Sequence, residues 1–334
     1  MSYENKSPKK LVVIGGGTGS FALLSELKHY FSDITALVNM VDDGGSTGVL
    51  RDELGVLPPG DVRQCLVALS DAPEKLRRLF NFRFAQGTFA GHSFGNIFLS
   101  AVERMTDSFD EAVTMTSDIL KIHGRVLPMT IDNCQLQMKI GDKVISGESA
   151  VGNTTIPAHT KPDLYIKPPA SMTPLAREAL QAADMIVIAP GNLYCSLVPS
   201  LLVDGVSECL IAATAELVYV ANLVNKPNHT QDFSVIDYVE ELERFIGENR
   251  INTVLYNNDT PDERLMKRYA LDGEYPIKTN KRNLSNRHFV AIGGSFLQKG
   301  KIEQNSNDTR VPRSYIRHDG LAVAKALKQH VEKQ

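Results

Sequence analysis

Residues 10–27 read KLVVIGGGTGSFALLSEL, and the order of residue types in that stretch decides the fold class. Four β-prone apolar residues (Leu11, Val12, Val13, Ile14) run into Gly15, Gly16, Gly17, Thr18 and Gly19, and an amphipathic helix pattern starts at about Ser20. Strand, glycine turn and helix in that order form the first half of a mononucleotide-binding unit. Glycine lets the backbone close on a phosphate, and the first turn of the helix offers unpaired N–H groups at the positive end of its dipole. The spacing departs from the dinucleotide fingerprint, because Ser20 stands where the third glycine belongs. No Gly-Lys-Ser/Thr follows to make a Walker loop. The bland alternative is a tight βα turn without a ligand.

Bulk properties narrow the field around that turn. A chain of 334 residues has room for one large α/β unit or two smaller domains. A net charge of −3 gives no global electrostatic case for nucleic acid or an anionic membrane. Cys65, Cys134, Cys195 and Cys209 are widely spaced and form no C-x-x-C pair, which reads as reduced thiols in a cytoplasmic protein without a zinc site. The polar first ten residues and the short apolar run behind them do not fit a signal peptide. No stretch approaches the roughly 20 apolar residues of a membrane span, so no membrane insertion is expected.

Further along, ITALVNMVDDGG (34–45) reads as a second buried strand ending in two acids, and alternating helical and β-rich segments imply parallel βαβ units. Asp61, after Pro-Pro-Gly, is a candidate N-cap for the next helix. Residues 73–84 look helical, with Lys75, Arg77 and Arg78 on a solvated face. At 130–151 the rhythm changes to apolar–polar alternation around Gly141-Asp142, a hairpin signature. Strand patterns return before APGN (189–192), in AELVYVANLV, in INTVLYNND and in RHFVAIGG, with helices at about 234–247 and 319–331. The run 277–288 is polar and basic but lacks interleaved aromatics, so it reads as a solvated loop.

Three constellations can carry chemistry. Asp42 and Asp43, followed by Gly44, Gly45 and Ser46, suit ribose recognition, Mg²⁺ beside a phosphate, or proton transfer, against the plain reading of a solvated Asp-Gly turn. GHSFGN sets His92, Ser93 and Asn96 at a helix start, where His92 can donate to a phosphate or Ser93 can simply cap. A Ser–His–Asp hydrolase is discounted, because Ser93 follows His92 directly and no G-x-S-x-G elbow exists. APGNLYCS offers Gly191, Asn192, Tyr194 and Ser196 to a polar ligand, with Tyr194 able to stack on a base or sugar or to be buried. Cys195 lacks a neighbouring base in sequence. Arg317 can clamp a diphosphate or face solvent.

Taken together, VVIGGGTGSFALLSEL, VDDGGSTGVLRDELGVLPPGDVRQCLVAL, GHSFGN, VLPMT, APGNLYCSLVPSLLV and RHDG resemble the bacterial gluconeogenesis-factor family, a relative of the 2-phospho-L-lactate transferases of the CofD type. The resemblance covers almost the whole chain. It implies an α/β fold, a Rossmann-like three-layer sandwich with a mainly parallel sheet and an antiparallel hairpin insertion. One CofD-like domain is expected over 1–334, with nucleotide-binding βα units at 10–105, the hairpin at about 130–152 and a second half at about 172–334. The implied ligand is UDP-N-acetylglucosamine, with NAD disfavoured by the broken fingerprint. The glycine turn, Asn39, the DDGGS loop, the GHSFGN residues and the APGNLY loop would line the cleft, and Tyr269 and Arg317 match positions tied to the UDP-sugar. The implied role is regulatory, linking growth on gluconeogenic carbon to cell shape and envelope synthesis through protein partners, as a homodimer. A Mg²⁺-dependent transferase of a phosphorylated group, with Asp42 and Asp43 holding the metal, is the alternative. The chain departs from the family pattern where DDGGSSGRLR becomes DDGGSTGVLR, placing Val49 at an arginine position. GPGSLYTS also becomes APGNLYCS, and MTQPGET becomes VNKPNHT.

Overall fold

Leu11 to Ile14 do form the central strand. A computed structural model describes residues 9–106, 108–279, 284–299 and 316–333, and in it β1 (Lys10–Ile14) lies in the middle of a seven-stranded sheet. Its neighbours are β2 (Asp33–Val38) on one side and β7 (Met185–Ile188) on the other, both parallel to it. β3 (Arg125–Pro128) lies beyond β2; β8 (Glu216–Val220), β9 (Thr253–Asn257) and β10 (Val290–Gly294) lie in turn beyond β7. Every pairing in this sheet is parallel. Crossover helices therefore cover both faces, which is why these strands read as continuous apolar runs and not as alternating ones.

Alternate strand residues enter two separate cores. Leu11, Val13, Ala36, Val187 and Val218 face helices α1 (Gly17–Leu27) and α3 (Pro59–Leu69), together with the helices Phe94–Met105 and Gly320–Glu332. Val12, Ile14, Leu37, Ile186 and Leu217 face the other layer, with the helices Pro174–Gln181 and Val235–Ile246. The architecture is a three-layer sandwich, as the sequence implied. The antiparallel part is larger than the expected hairpin. β4 (Gln135–Ile140) pairs with β5 (Lys143–Ser146) as anticipated, but β6 (Asp163–Lys167) joins the other edge of β4 and carries the small sheet past residue 152. Leu136, Met138, Ile145, Leu164 and Ile166 bury its inner face in the second core.

The strand order sets the location of a site. The chain runs outward from β1 through β2 to β3, then returns to the other side of β1 and runs outward again through β7. Between β1 and β7 the successive connections diverge to opposite sides, and the carboxyl ends of the strands there form the usual ligand crevice of an open α/β sheet. Among the described residues no helix is long and apolar enough to cross a membrane. Of the basic run 277–288, residues 280–283 lie outside the described residues.

One glycine in the turn is fixed by packing across this switch point. A Cβ at Gly19 would fall 2.1 Å from the carbonyl oxygen of Pro190, behind β7. Gly19→Ala should therefore lower the urea midpoint despite alanine's better helix propensity, with overpacking costing about 1–3 kcal/mol. Gly55→Ala, which has open space around it but φ +67°, should lose stability through backbone strain alone and so contrasts with the crowding at Gly19.

Candidate functional site

The loop behind β1 begins at Gly15, whose N–H donates to the carbonyl of Leu37 in β2. Gly17 has φ +70°, in the left-handed region that favours glycine, and opens α1. The N-cap of α1 is Gly16, which has no side chain of its own to cap the helix. The loop behind β2 repeats the device. Gly44 is the uncapped N-cap of α2 (Gly45–Leu54), and Ser46 and Thr47 lie in its first turn. Two helices thus begin on glycine N-caps at the ends of adjacent strands.

Asp61 connects them. Sequence reading made it an N-cap; in the structure Pro58 is the N-cap and Pro59 opens α3, so Asp61 falls in the first helical turn. Its carboxylate accepts from the Gly17 N–H. A Cβ at Gly16 would fall 2.1 Å from Asp61 Oδ2, so glycine is required where the turn passes over this acid. Beside it, a Cβ at Gly60 would fall 3.0 Å from Asp42 Oδ2 and 2.5 Å from Thr47 Oγ1. The starts of α1, α2 and α3 therefore converge on Asp42 and Asp61.

Glu148, on the short helix Glu148–Asn153 of the insertion, completes an acidic group that the sequence did not signal. Burial raises the Asp61 carboxyl to about 8, assisted by the charges of Asp42 and Glu148 and opposed by Arg63 and the Gly17 N–H. Burial also raises Glu148 to about 7, with Asp42 and Asp43 adding to the effect. Asp42 is raised by burial as well, though the Gly44 N–H and Thr47 hydroxyl favour its charged form. Three carboxyls this close cannot all ionise near neutrality without a cation or a shared proton. One unsatisfied donor adjoins them: Arg51 Nη2 is held by Asn133 and the Cys134 carbonyl, while buried Nη1 has no partner.

Asp43 has a different task from its neighbour. Its two oxygens accept from the backbone N–H groups of Glu148 (3.0 Å) and Ser149 (2.8 Å), so it caps the insertion helix and is committed there, not free for a metal. The GHSFGN residues do meet the DDGGS loop. Ser46 Oγ lies 3.0 Å from His92 Nδ1 and accepts from Asn96 Nδ2, while Asn96 Oδ1 accepts from Arg63 Nε at 2.8 Å. Ser93 takes the capping role, its hydroxyl accepting from the Asn96 N–H. Of these three, His92 is the one partly open to solvent. Asn39 is buried, with Oδ1 turned back to the Val41 N–H.

Behind β7, Gly191 and Asn192 line the loop, but their polar groups are largely engaged. The Gly191 carbonyl accepts from Asn222 Nδ2 at 2.6 Å, and Asn192 Oδ1 caps a wide π-type turn, Leu193–Leu197. That turn directs Tyr194 inward. The ring is 1% exposed and its hydroxyl donates to buried Glu241 at 2.9 Å, so Tyr194 is unavailable for stacking on a ligand. Ser196 stays partly exposed, one turn along. Cys195 is buried and its thiol is pushed well up by burial and by Glu148, which removes it as a nucleophile.

Further along the carboxyl edge, a cavity of about 500 Å³ opens beyond β9 and β10, lined by Asp259, Leu265, Leu297, Lys299 and Arg317. A smaller one of about 170 Å³ shares Asp259 and Leu297 with it and reaches Asn222, the partner of Gly191. Tyr269 does not line either cavity. It is buried, and its hydroxyl accepts from the Ile316 N–H, which positions the segment carrying Arg317.

The chain matches the family model described as 2-phospho-L-lactate transferase CofD over residues 11–297. It is 37% identical to the gluconeogenesis factor of Bacillus subtilis over 324 residues, covering 95% of this chain and 96% of that protein. The chain belongs to the gluconeogenesis factor family. A putative gluconeogenesis factor of Thermotoga maritima is 36% identical over 323 residues, with 96% and 98% of the two chains covered. Among solved structures, a Bacillus halodurans protein of the UPF0052 family superposes with a TM-score of 0.86 at 31% identity, covering 95% of this chain and 99% of that one.

Two measurements check the geometry. A carboxyl whose folded pKa is raised holds a proton that the unfolded chain has released, so stability falls as pH rises from the unfolded value to the folded one. Between about pH 4 and 8 this group should cost the ligand-free protein thermal stability, with no further loss above about pH 8, and Asp61→Asn should flatten that slope and raise the melting temperature near pH 8. Separately, Asp43→Ala should speed amide exchange at Glu148 and Ser149 and cost about 1–2 kcal/mol, the scale of a lost helix cap.

Proposed function

We propose that this protein binds a nucleotide sugar, with UDP-N-acetylglucosamine the first candidate. In this reading it acts as a regulator that reports the supply of that envelope precursor to protein partners during growth on gluconeogenic carbon. The observation that carries the reading is the pair of glycine-started helix N-termini, α1 and α2, side by side at the switch point. They suit a diphosphate, and a separate cavity near Arg317 lies further along the same carboxyl edge. Three strand spacings separate β1 from β9, about 14 Å. A ligand with phosphates near its middle and a polar group at each end has the reach to engage both places. A nucleoside diphosphate alone has less use for the second.

A divalent cation fits this reading on Asp42 and Asp61 better than on Asp42 and Asp43, since Asp43 is committed to the insertion backbone. Among the described residues no three His, Cys, Asp or Glu side chains are grouped to hold a metal unaided. That suits Mg²⁺, which commonly binds through one or two carboxylates plus ligand phosphates. The cation would neutralise carboxylates that otherwise repel the diphosphate. A transferase reading rests on the same pair of acids together with the CofD family model. It requires a donor to be consumed, whereas a regulator leaves its ligand intact.

Thermal melts with UDP-N-acetylglucosamine, UDP and NAD, each with and without Mg²⁺, decide between these. The uridine ligands should raise the midpoint, by about 2.7 kcal/mol of stability at one hundred times the dissociation constant. Asp61→Asn should remove the Mg²⁺-dependent part of the rise. No response to any uridine nucleotide would end the nucleotide-sugar reading. Loss of donor over hours with Mg²⁺, abolished in Asp42→Asn, would move the assignment to a transferase.

A further inference from the structure

The helix Glu74–Asn81 and the loop behind it border the site just described, through Asn81 on Arg63 and the loop's closure on His92, and carry a second face of their own. Leu76 and Phe80 turn this helix toward the core, Phe80 stacking edge-on against Phe94 and Phe98. The opposite stripe, Lys75, Arg78, Leu79 and Phe82, follows the i, i+3, i+4, i+7 spacing of one helical face, and all four residues are exposed. At its end the chain makes a short excursion, closed by the Phe84 N–H to the His92 carbonyl and the Gly91 N–H to the Phe84 carbonyl. The rings of Phe82, Phe84 and Phe89 form a connected chain there, with centroids 5.2 and 5.5 Å apart. Phe82 and Phe89 are the exposed phenylalanines among the described residues, at 37% and 53%.

The charge near these rings is mostly positive, Glu74 at the start of the helix being the acid beside them. From Lys75 to Val102 the sequence contains Lys75, Arg77, Arg78 and Arg83 and no Asp or Glu, on a chain whose net charge is −3. Exposed apolar rings with cations beside them fit a surface that is anionic outside and apolar just beneath, the profile of a bilayer rich in acidic lipids. An acidic protein would meet the cations but would leave three adjacent rings in water unless it brought its own pocket.

We propose that the stripe Lys75–Arg78–Leu79–Phe82 and the ring cluster Phe82–Phe84–Phe89 form a peripheral docking site for anionic lipid membranes. Flotation of the full chain with vesicles of phosphatidylglycerol and phosphatidylcholine in equal parts, against phosphatidylcholine alone, tests it at about 0.1 M salt. Wild type should float with the anionic vesicles only. Phe82→Ser with Phe89→Ser, and separately Lys75→Glu with Arg78→Glu, should each reduce the floated fraction about tenfold. Both double variants should keep the wild-type melting midpoint and its response to UDP-N-acetylglucosamine, which separates lost docking from lost folding. Equal flotation with both vesicle types, no flotation, or flotation indifferent to both variants would overturn the proposal. So would failure to float combined with binding of a polyglutamate peptide, which would assign the surface to a protein partner.

Discussion

The carboxyl edge of the sheet depends on the contact between the Asp61 carboxylate and the backbone of Gly16 and Gly17. A carboxylate 2.1 Å from the place of an absent Cβ cannot be accommodated by any other residue at position 16 without moving α3. The same contact draws α3 against the start of α1, brings Gly60 onto Asp42 and Thr47, and so fixes where α2 begins. Three helix starts are thereby held together by one side chain. Their dipoles add positive potential at the point where carboxyls concentrate negative charge, and the proton affinities of Asp61 and Glu148 are raised first by burial and then by the neighbouring acids.

This balance explains why the glycine turn departs from the dinucleotide fingerprint. In a dinucleotide fold the third glycine serves close packing of helix on strand, and the acid on the second strand meets a ribose. Here close packing is served by Gly19 against Pro190, one position earlier. The end of β2 carries Asn39, folded back on its own turn, while the acids arrive three and four residues later. The acids of the crevice therefore stand at other positions than the one at which a dinucleotide fold meets its ribose.

Much of the fold was legible because parallel strands covered on both faces leave uninterrupted apolar runs, and the glycine turn marks the first crossover. Ser93 caps its helix, one of the two readings its sequence position allowed, whereas Asp61, expected as an N-cap, falls inside the first turn because Pro59 opens α3 two residues earlier. What escaped was set by contacts distant in sequence. Glu148 lies 106 positions from Asp42 and enters the site only because Asp43 holds its helix. Tyr194 and Tyr269 stand in motif positions that suggest ligand contact, yet each hydroxyl is bonded inside the protein, to Glu241 and to the Ile316 N–H. Periodicity carries no information about which way a tyrosine behind a π-type turn will point.

The insertion is therefore more than decoration on the sheet. Its helix Glu148–Asn153 is capped by Asp43 from the loop behind β2, accepts from Lys226 and Asn228 behind β8 at the Gly152 carbonyl, and receives His229 at the Val151 carbonyl. Burial holds His229 down to about 4, so this contact keeps a neutral ring through the neutral range. One short helix thus ties the loops of strands on both sides of the switch point, and its first residue is the Glu148 that faces Asp42. A ligand that alters the charge state of the acidic group would act on Glu148, and through it on a helix bonded to both walls of the crevice. Charge in the site and the spacing of its walls are consequently set by the same element.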